Sequence, residues 1–252
     1  MIDWAHHVGE IQLSFLHGEK DVQFKGEIDL VTAADKASEE YLIAKLEHRF
    51  PLHDYIAEEG HRRSTGADFT WYIDPLDGTT NFAHGYPVFC VSIALILQGE
   101  RALAVVHDPS RNETFTAVRG HGAFLNGRSL KVSPQTVLRK SLLLSGFPYA
   151  FADDERNVRL WNAFLHAAQS VRRDGSAALD LCYVAAGRVE GFWEMGLNSW
   201  DIAAGALVIE EAGGRVTQFD DSPLQLDGKA ILASNGNIHA AMQVVLKEHG
   251  AY

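Results

Sequence analysis

The stretch with the most evident chemistry is Asp74-Pro75-Leu76-Asp77-Gly78-Thr79-Thr80-Asn81. Phe69 to Ile73 reads as a strand that ends at Asp74. Pro75 cannot extend a central strand, Asp77-Gly78 is a turn pair, and Thr79 can open a helix. Two carboxylates and the amides near Gly78 and Thr79 then face one spot. Carboxylate oxygens suit hard divalent cations, and free amides suit a phosphate. The same residues are also compatible with a plain polar turn between a strand and a helix.

Three further acidic positions bear on that choice. Glu58-Glu59 follows the apolar pair Ile56-Ala57, as if at a strand end, and can be read as a solvated turn or as ligands. Asp201 follows Trp200 at the start of a helical pattern, where the helix dipole alone would favour an acid. Asp35 lies three residues after Thr32, the spacing of an approximate capping box.

Taken together these segments resemble the inositol monophosphatase family, within the wider superfamily that includes fructose-1,6-bisphosphatase. The resemblance rests on Asp29 to Asp35, Ile56 to Glu59, Trp71 to Phe82, Gly175 to Asp180 and Trp200 to Gly205, which occur in family order along most of the chain. Pro87 to Leu95 and Gly120 to Gly127 echo the same pattern. The resemblance implies magnesium-assisted hydrolysis of a phosphate monoester. Glu58, Asp74 and the Leu76 carbonyl would hold one ion, and Asp74, Asp77 and Asp201 a second. A weaker third ion would rest near Glu58 and Glu59. Thr79 and Asp35 would orient or deprotonate the attacking water, with Glu59 in the same catalytic set. Asp77, Gly78, Thr79, Gly175, Ser176, Glu194 and Asp201 would bind the substrate, the Gly78 and Thr79 amides holding its phosphate oxygens and Gly175, Ser176 and Glu194 meeting its alcohol. Inhibition by lithium and a homodimer are also implied. The favoured substrate is inositol 1-phosphate, with fructose 1,6-bisphosphate, 3′-phosphoadenosine 5′-phosphate and histidinol phosphate as rivals. Some bacterial relatives also act as partners in RNA-synthesis complexes, so a second role of that kind stays open.

The elements that must position these residues can be read from apolar periodicity. Helices are expected over 2–17, ended by Gly18, and over 33–49, about 154–168, about 177–187, 201–212 and 238–248. The last-but-one is closed by Gly213-Gly214. Val88–Leu97, Ala102–Val106 and Glu113–Val118 read as an antiparallel meander, followed by a glycine-punctuated loop over 120–127. Leu142–Ser145, Val189–Trp193, Val216–Phe219 and Ile231–Ala233 read as further strands. The expected fold is α/β (α+β), a layered αβαβα sandwich of the sugar-phosphatase type. It forms one compact unit over 1–252, with halves at about 1–140 and 141–252.

The chain has 252 residues, 46% of them hydrophobic, and a formal net charge of −11. That charge disfavours direct contact with nucleic acid, which needs basic surface. It also requires cations at any site for an anionic ester, which magnesium would supply. No apolar run reaches the roughly 18 residues of a membrane helix, and no secretory signal is evident, so the cytoplasm is the expected location. Cys90 and Cys182 sit among apolar residues and read as buried free thiols. The twelve histidines show no H-E-x-x-H, and His6-His7 falls on a helix, which weighs against zinc. G-x-S-x-G and G-x-x-x-x-G-K-[ST] are also missing, against a serine hydrolase or a nucleoside-triphosphate enzyme.

Overall fold

A computed structural model describes residues 1–16, 22–24, 30–147, 155–228 and 230–252, with backbone alone at 22–24 and 30–31. In chain order the first half runs α1 (Ile2–Leu16), β1 (Val22–Phe24), β2 (Leu30–Thr32), α2 (Ala33–Arg49), β3 (Asp54–Ala57), β4 (Arg62–Arg63), β5 (Phe69–Asp77), α3 (Thr79–Ala83), β6 (Cys90–Leu97), β7 (Glu100–Asp108), β8 (Glu113–Val118), β9 (Ala123–Leu125) and β10 (Arg128–Ser129). The second half runs β11 (Leu142–Ser145), α4 (Arg156–Ala167), β12 (Ser170–Arg172), α5 (Ala177–Ala185), β13 (Gly191–Met195), α6 (Ser199–Glu211), β14 (Arg215–Thr217), β15 (Ala230–Ser234) and α7 (His239–Glu248).

Two main sheets organise the layers. The first has the order β10-β9-β8-β7-β6-β5-β3-β4, and its one parallel pair is β3 with β5. The second has the order β12-β11-β13-β15-β14. Alternation along β6 shows how the first sheet is covered on both faces. Val91, Ile93 and Leu95 pack with Leu42, Ile43 and Leu46 of α2 and Ala5 and Val8 of α1. Cys90 and Ala94 face the other way, toward Leu181 of α5 and Ala203, Ala206 and Leu207 of α6. Those two helices are apolar nearly all round, as a central layer requires. They cross so closely that a Cβ on Gly205 would lie 2.5 Å from the Leu181 Cβ. The second sheet presents Leu144, Phe192, Ile231 and Ala233 to this central layer. Its other face carries Leu143, Trp193 and Leu232 against Leu160 and Phe164 of α4 and Met242 and Leu246 of α7. The result is the expected αβαβα sandwich.

Several boundaries differ from expectation for identifiable reasons. β5 does not stop at Asp74 but continues through Pro75 to Asp77. Asp74 pairs with Ser92 and Asp77 with Cys90, so one extra residue is absorbed in a bulge. A bulge is one of the few places where a strand accepts proline, and it re-aims the side chains beyond it. The 120–127 segment is not all loop: β9 and β10 form a hairpin around Asn126-Gly127, both at positive φ. α6 begins at Ser199, two residues early, because Asn198 caps it. The three-residue strand β12 was not expected at all. Gly18, expected to end α1, and Asp29 lie outside the described residues. No described helix is long and apolar enough to cross a membrane.

Candidate active site

Chain segments from both halves meet at a cavity of about 530 Å³, with Glu58, Asp74, Leu76, Asp77, Gly78 and Thr79 on one wall. The opposite wall carries Gly175, Ser176, Asp180, Glu194 and Asp201. The residues expected at the metal site are therefore brought together. Glu59 and Asp35 do not line the cavity. Glu59 sits half-buried beside Glu58, and Asp35 lies fully buried behind Thr79.

The bulged end of β5 sets the first wall. The Leu76 N–H donates to Asp74 Oδ1 at 2.9 Å, which holds that carboxylate against its own turn. Gly78 follows with φ of 92°, and a Cβ there would lie 2.8 Å from the Val88 carbonyl oxygen, so the turn both needs and encloses a glycine. α3 spans only five residues, so any hold on phosphate comes from single amides rather than a long helix dipole. The Thr79 hydroxyl lies 3.1 Å from the Leu76 carbonyl oxygen and 3.2 Å from Asp35 Oδ1. Asp35 in turn accepts the Thr32 N–H at 2.7 Å while Thr32 caps α2. Asp35 thus caps α2 with one carboxylate oxygen and meets Thr79 with the other.

The second half contributes helix starts and β13. At the start of α5, the Ser176 hydroxyl donates to Asp77 Oδ2 at 2.6 Å and the Ala178 N–H donates to the same oxygen at 2.7 Å. Ser176, expected to touch substrate, here aims Asp77. Asn81 stitches the two walls by donating to the Val88 and Asp174 carbonyls, each at 2.8 Å. Asp201 is the third helical residue of α6, and its Oδ2 accepts the Asn198 N–H at 2.7 Å in a capping box. Glu194 reaches the cavity from β13. Gly146 makes room for it, since a Cβ there would collide with the Glu194 carboxylate.

The electrostatics of this cluster are unfavourable without a cation. Burial and then the charges of Glu58, Asp77 and Asp201 push the Asp74 carboxyl well above the usual carboxylate range. Burial and then Asp77 and Glu58 do the same to Asp201. Asp77 is also raised by burial, against the lowering effect of its hydrogen bonds from Ser176 and Ala178. Glu58 lies beside Asp74, and the crowding of the two acids favours keeping a proton on the pair. A divalent cation could take that proton's place. The donor set is all oxygen, which suits magnesium and not zinc. Among the described residues no three or more His, Cys, Asp or Glu side chains already stand in an arrangement that could hold a metal ion. Magnesium keeps several waters and takes few carboxylates, so a closed protein cage is not required. The residues present fit the ion.

Other cavity residues were given no role of their own in the sequence reading. Asp180 is 1% exposed and its Oδ1 has no hydrogen-bond partner among the described residues. Its signal was present, a lone carboxylate inside the apolar run Ala177–Ala185. Arg173 and Phe147 stand at the rim, the guanidinium 5.3 Å from the ring centroid. Nothing in their spacing pointed to a rim.

Comparison with known proteins agrees with this geometry. The model of the inositol monophosphatase family matches residues 1–250. An inositol-1-monophosphatase of Synechocystis sp. is 46% identical over 90% of this chain and 80% of that protein. The Nus factor SuhB of Pseudomonas aeruginosa is 44% identical over 92% of this chain and 86% of that protein. The solved inositol monophosphatase of Anabaena (Nostoc) sp. superposes with a TM-score of 0.90 at 42% identity, covering 98% of this chain and 93% of that one. The chain belongs to the inositol monophosphatase family and is a phosphoric monoester hydrolase.

Proposed function

We propose that the protein hydrolyses the phosphate monoester of a small polyol, inositol 1-phosphate first among candidates, with Mg2+ as cofactor. The observation that carries this reading is the cluster of Glu58, Asp74, Asp77 and Asp201, whose acids are forced together in one cavity beside Gly78 and Thr79. Glu58, Asp74 and the Leu76 carbonyl would hold one ion, and Asp74, Asp77 and Asp201 a second. A weaker third would sit near Glu58 and Glu59. Bound magnesium would lower the pKa of water and neutralise charge on the ester and leaving oxygens.

The chain's own groups divide the remaining work. Thr79 can donate to Asp35 while its oxygen lone pair accepts from a water in the cavity. That arrangement orients the water and gives its proton a path to Asp35 Oδ1. The Gly78 and Thr79 amides would hold phosphate oxygens. Ser176 and the Ala178 amide keep Asp77 in position throughout. Glu194 is pushed up to about 8 by burial and by Asp77, with Arg173 opposing, so near neutral pH it is largely protonated. In that form it can both donate to and accept from a hydroxyl, which suits a polyol. Gly175 would border the same alcohol.

A second role, as a protein partner in RNA-synthesis complexes, is favoured by the Pseudomonas relative described as a Nus factor. With a net charge of −11 such a role would run through protein contacts rather than direct nucleic-acid binding. A homodimer working in the cytoplasm belongs to the same proposal. Phosphate release should be measured from inositol 1-phosphate, fructose 1,6-bisphosphate, 3′-phosphoadenosine 5′-phosphate and histidinol phosphate, each with Mg2+, with chelator and with added lithium. The expected result is Mg2+-dependent, lithium-suppressed release, fastest from inositol 1-phosphate. Preference for another ester would replace the substrate, and undiminished release in chelator would refute the metal.

A further inference from the structure

Helix α2 carries two buried carboxylates one turn apart, Asp35 and Glu39, both 0% exposed. Their spacing of four residues puts them on one face of the helix. Asp35 meets Thr79, on the segment that follows Asp74 and Asp77. Glu39 reaches the other ligand-bearing segment, the turn after β3. Its Oε2 accepts the Glu59 N–H at 2.8 Å. Its Oε1 accepts the His61 N–H at 3.1 Å and lies 2.7 Å from His61 Nδ1, which faces it as a donor. Three donors of one short turn therefore converge on one carboxylate. The same turn is closed by the Ala57 N–H donating to the His61 carbonyl at 3.0 Å, and tied to β5 by the Glu58 N–H donating to the Ile73 carbonyl at 3.2 Å.

A buried carboxylate is costly unless its lone pairs are filled, and here they are filled by the residue directly after Glu58 and by His61. Apolar packing could hold this turn near α2, but it would not fix the turn's direction. Two backbone amides bound to one rigid carboxylate do fix it. We propose that Glu39 is a positioning residue for the metal site: by clamping the Glu58–His61 turn to α2, it sets where Glu58 stands relative to the Asp74–Asp77 segment, which Asp35 ties to the same helix through Thr79. α2 thereby acts as a common bar for both ligand-bearing strand ends. Without the clamp the turn must be ordered when the ion binds, and the conformational entropy of that ordering weakens binding. Groups that hold metal ligands in place commonly change affinity 10- to 100-fold when removed. The inference rests on the proposed role of Glu58 as a ligand.

The test is Mg2+ titration by calorimetry on the full chain, comparing wild type, Glu39→Gln, His61→Ala and Leu42→Ala. Leu42 is a 1% exposed core residue on the same helix with no polar role, so its truncation reports what general loosening of α2 does. Glu39→Gln should raise the Mg2+ dissociation constant about 10-fold or more. Turnover at saturating Mg2+ should stay within about twofold of wild type, the pattern of lost ground-state binding. His61→Ala, which removes one of the donors, should shift affinity in the same direction but less. Leu42→Ala should lower the melting temperature and leave Mg2+ affinity unchanged. Equal Mg2+ affinity in wild type and Glu39→Gln would overturn the inference, as would an equal loss in Leu42→Ala. Failure of the wild type itself to bind Mg2+ would overturn the metal reading and this inference with it.

Discussion

The two walls of the cavity differ in how their polar groups are satisfied. On the β5 wall each expected ligand or catalytic group is tethered: Asp74 by the Leu76 amide, Asp77 by Ser176 and Ala178, and Thr79 by Asp35 and Leu76. On the β13 wall, to which Asp180 of α5 adds, the Glu194 carboxyl faces the cavity and Asp180 leaves an oxygen unpaired among the described residues. Tethered groups suit a task that never changes, the placement of ions and phosphate, because nothing need reorganise as charge develops. Unpaired buried groups suit recognition, because a ligand that completes them gains and one that cannot is rejected. On the proposed reading the β5 wall would carry the chemistry and the β13 wall the choice of alcohol, with Asp201 joining the two.

That division can be broken by substitution. The largest effect is expected from Asp77→Asn or Asp201→Asn. Losing a ligand at the proposed second ion should remove several kcal/mol of charge stabilisation, on the order of 10³-fold in turnover. Far-UV circular dichroism should be unchanged, and a variant that keeps most of its phosphate release would remove that ion from the account. Thr79→Ala comes next, with turnover lower by roughly 10²-fold, the size of a lost proton-transfer group. Mg2+ affinity should change far less, and unchanged turnover would take Thr79 out of the mechanism. Glu194→Ala should act on the other wall. KM for a polyol phosphate should rise about tenfold, a strong hydrogen bond's worth, while hydrolysis of an ester lacking neighbouring hydroxyls should barely respond. Equal effects on both esters would erase the distinction between the walls.

The smallest effect is on stability. Asp74, Asp77, Asp201 and Glu194 are all raised in the folded chain, Glu194 to about 8. The folded state therefore binds more protons than the unfolded one above the ordinary carboxylate range. Stability of the metal-free protein should fall as pH rises from about 5 through 8. Added Mg2+ should flatten that slope by replacing the protons. A metal-free melting temperature that climbs across the same interval would contradict the crowding of the cluster.

Legibility followed the distance over which each feature is encoded. The proposed ligands Asp74 and Asp77 lie with Thr79 within six residues, so their candidacy could be read locally. The layers were legible because helix and strand periods differ. Pro75 misled, since the rule against proline in a central strand does not anticipate a bulge set by pairing with β6. The Asn126-Gly127 hairpin carried a usable turn signal that was read only as loop. Glu39 was not legible as a support, because it acts on backbone amides twenty residues away, and amides leave no trace in residue type. Ser176 lines the cavity, but its hydroxyl is committed to Asp77 rather than to the substrate contact expected of it.

The central claim is that the crowded carboxylates of the β5 wall and Asp201 hold Mg2+. Its most direct test is calorimetric titration of the wild type with Mg2+ in buffers of different ionisation enthalpy at pH 7, beside Asp77→Asn and Asp201→Asn. Saturable binding that releases protons, lost or strongly weakened in both variants, is the predicted result. Mg2+ binding of undiminished strength in both variants, or none in the wild type, would contradict it.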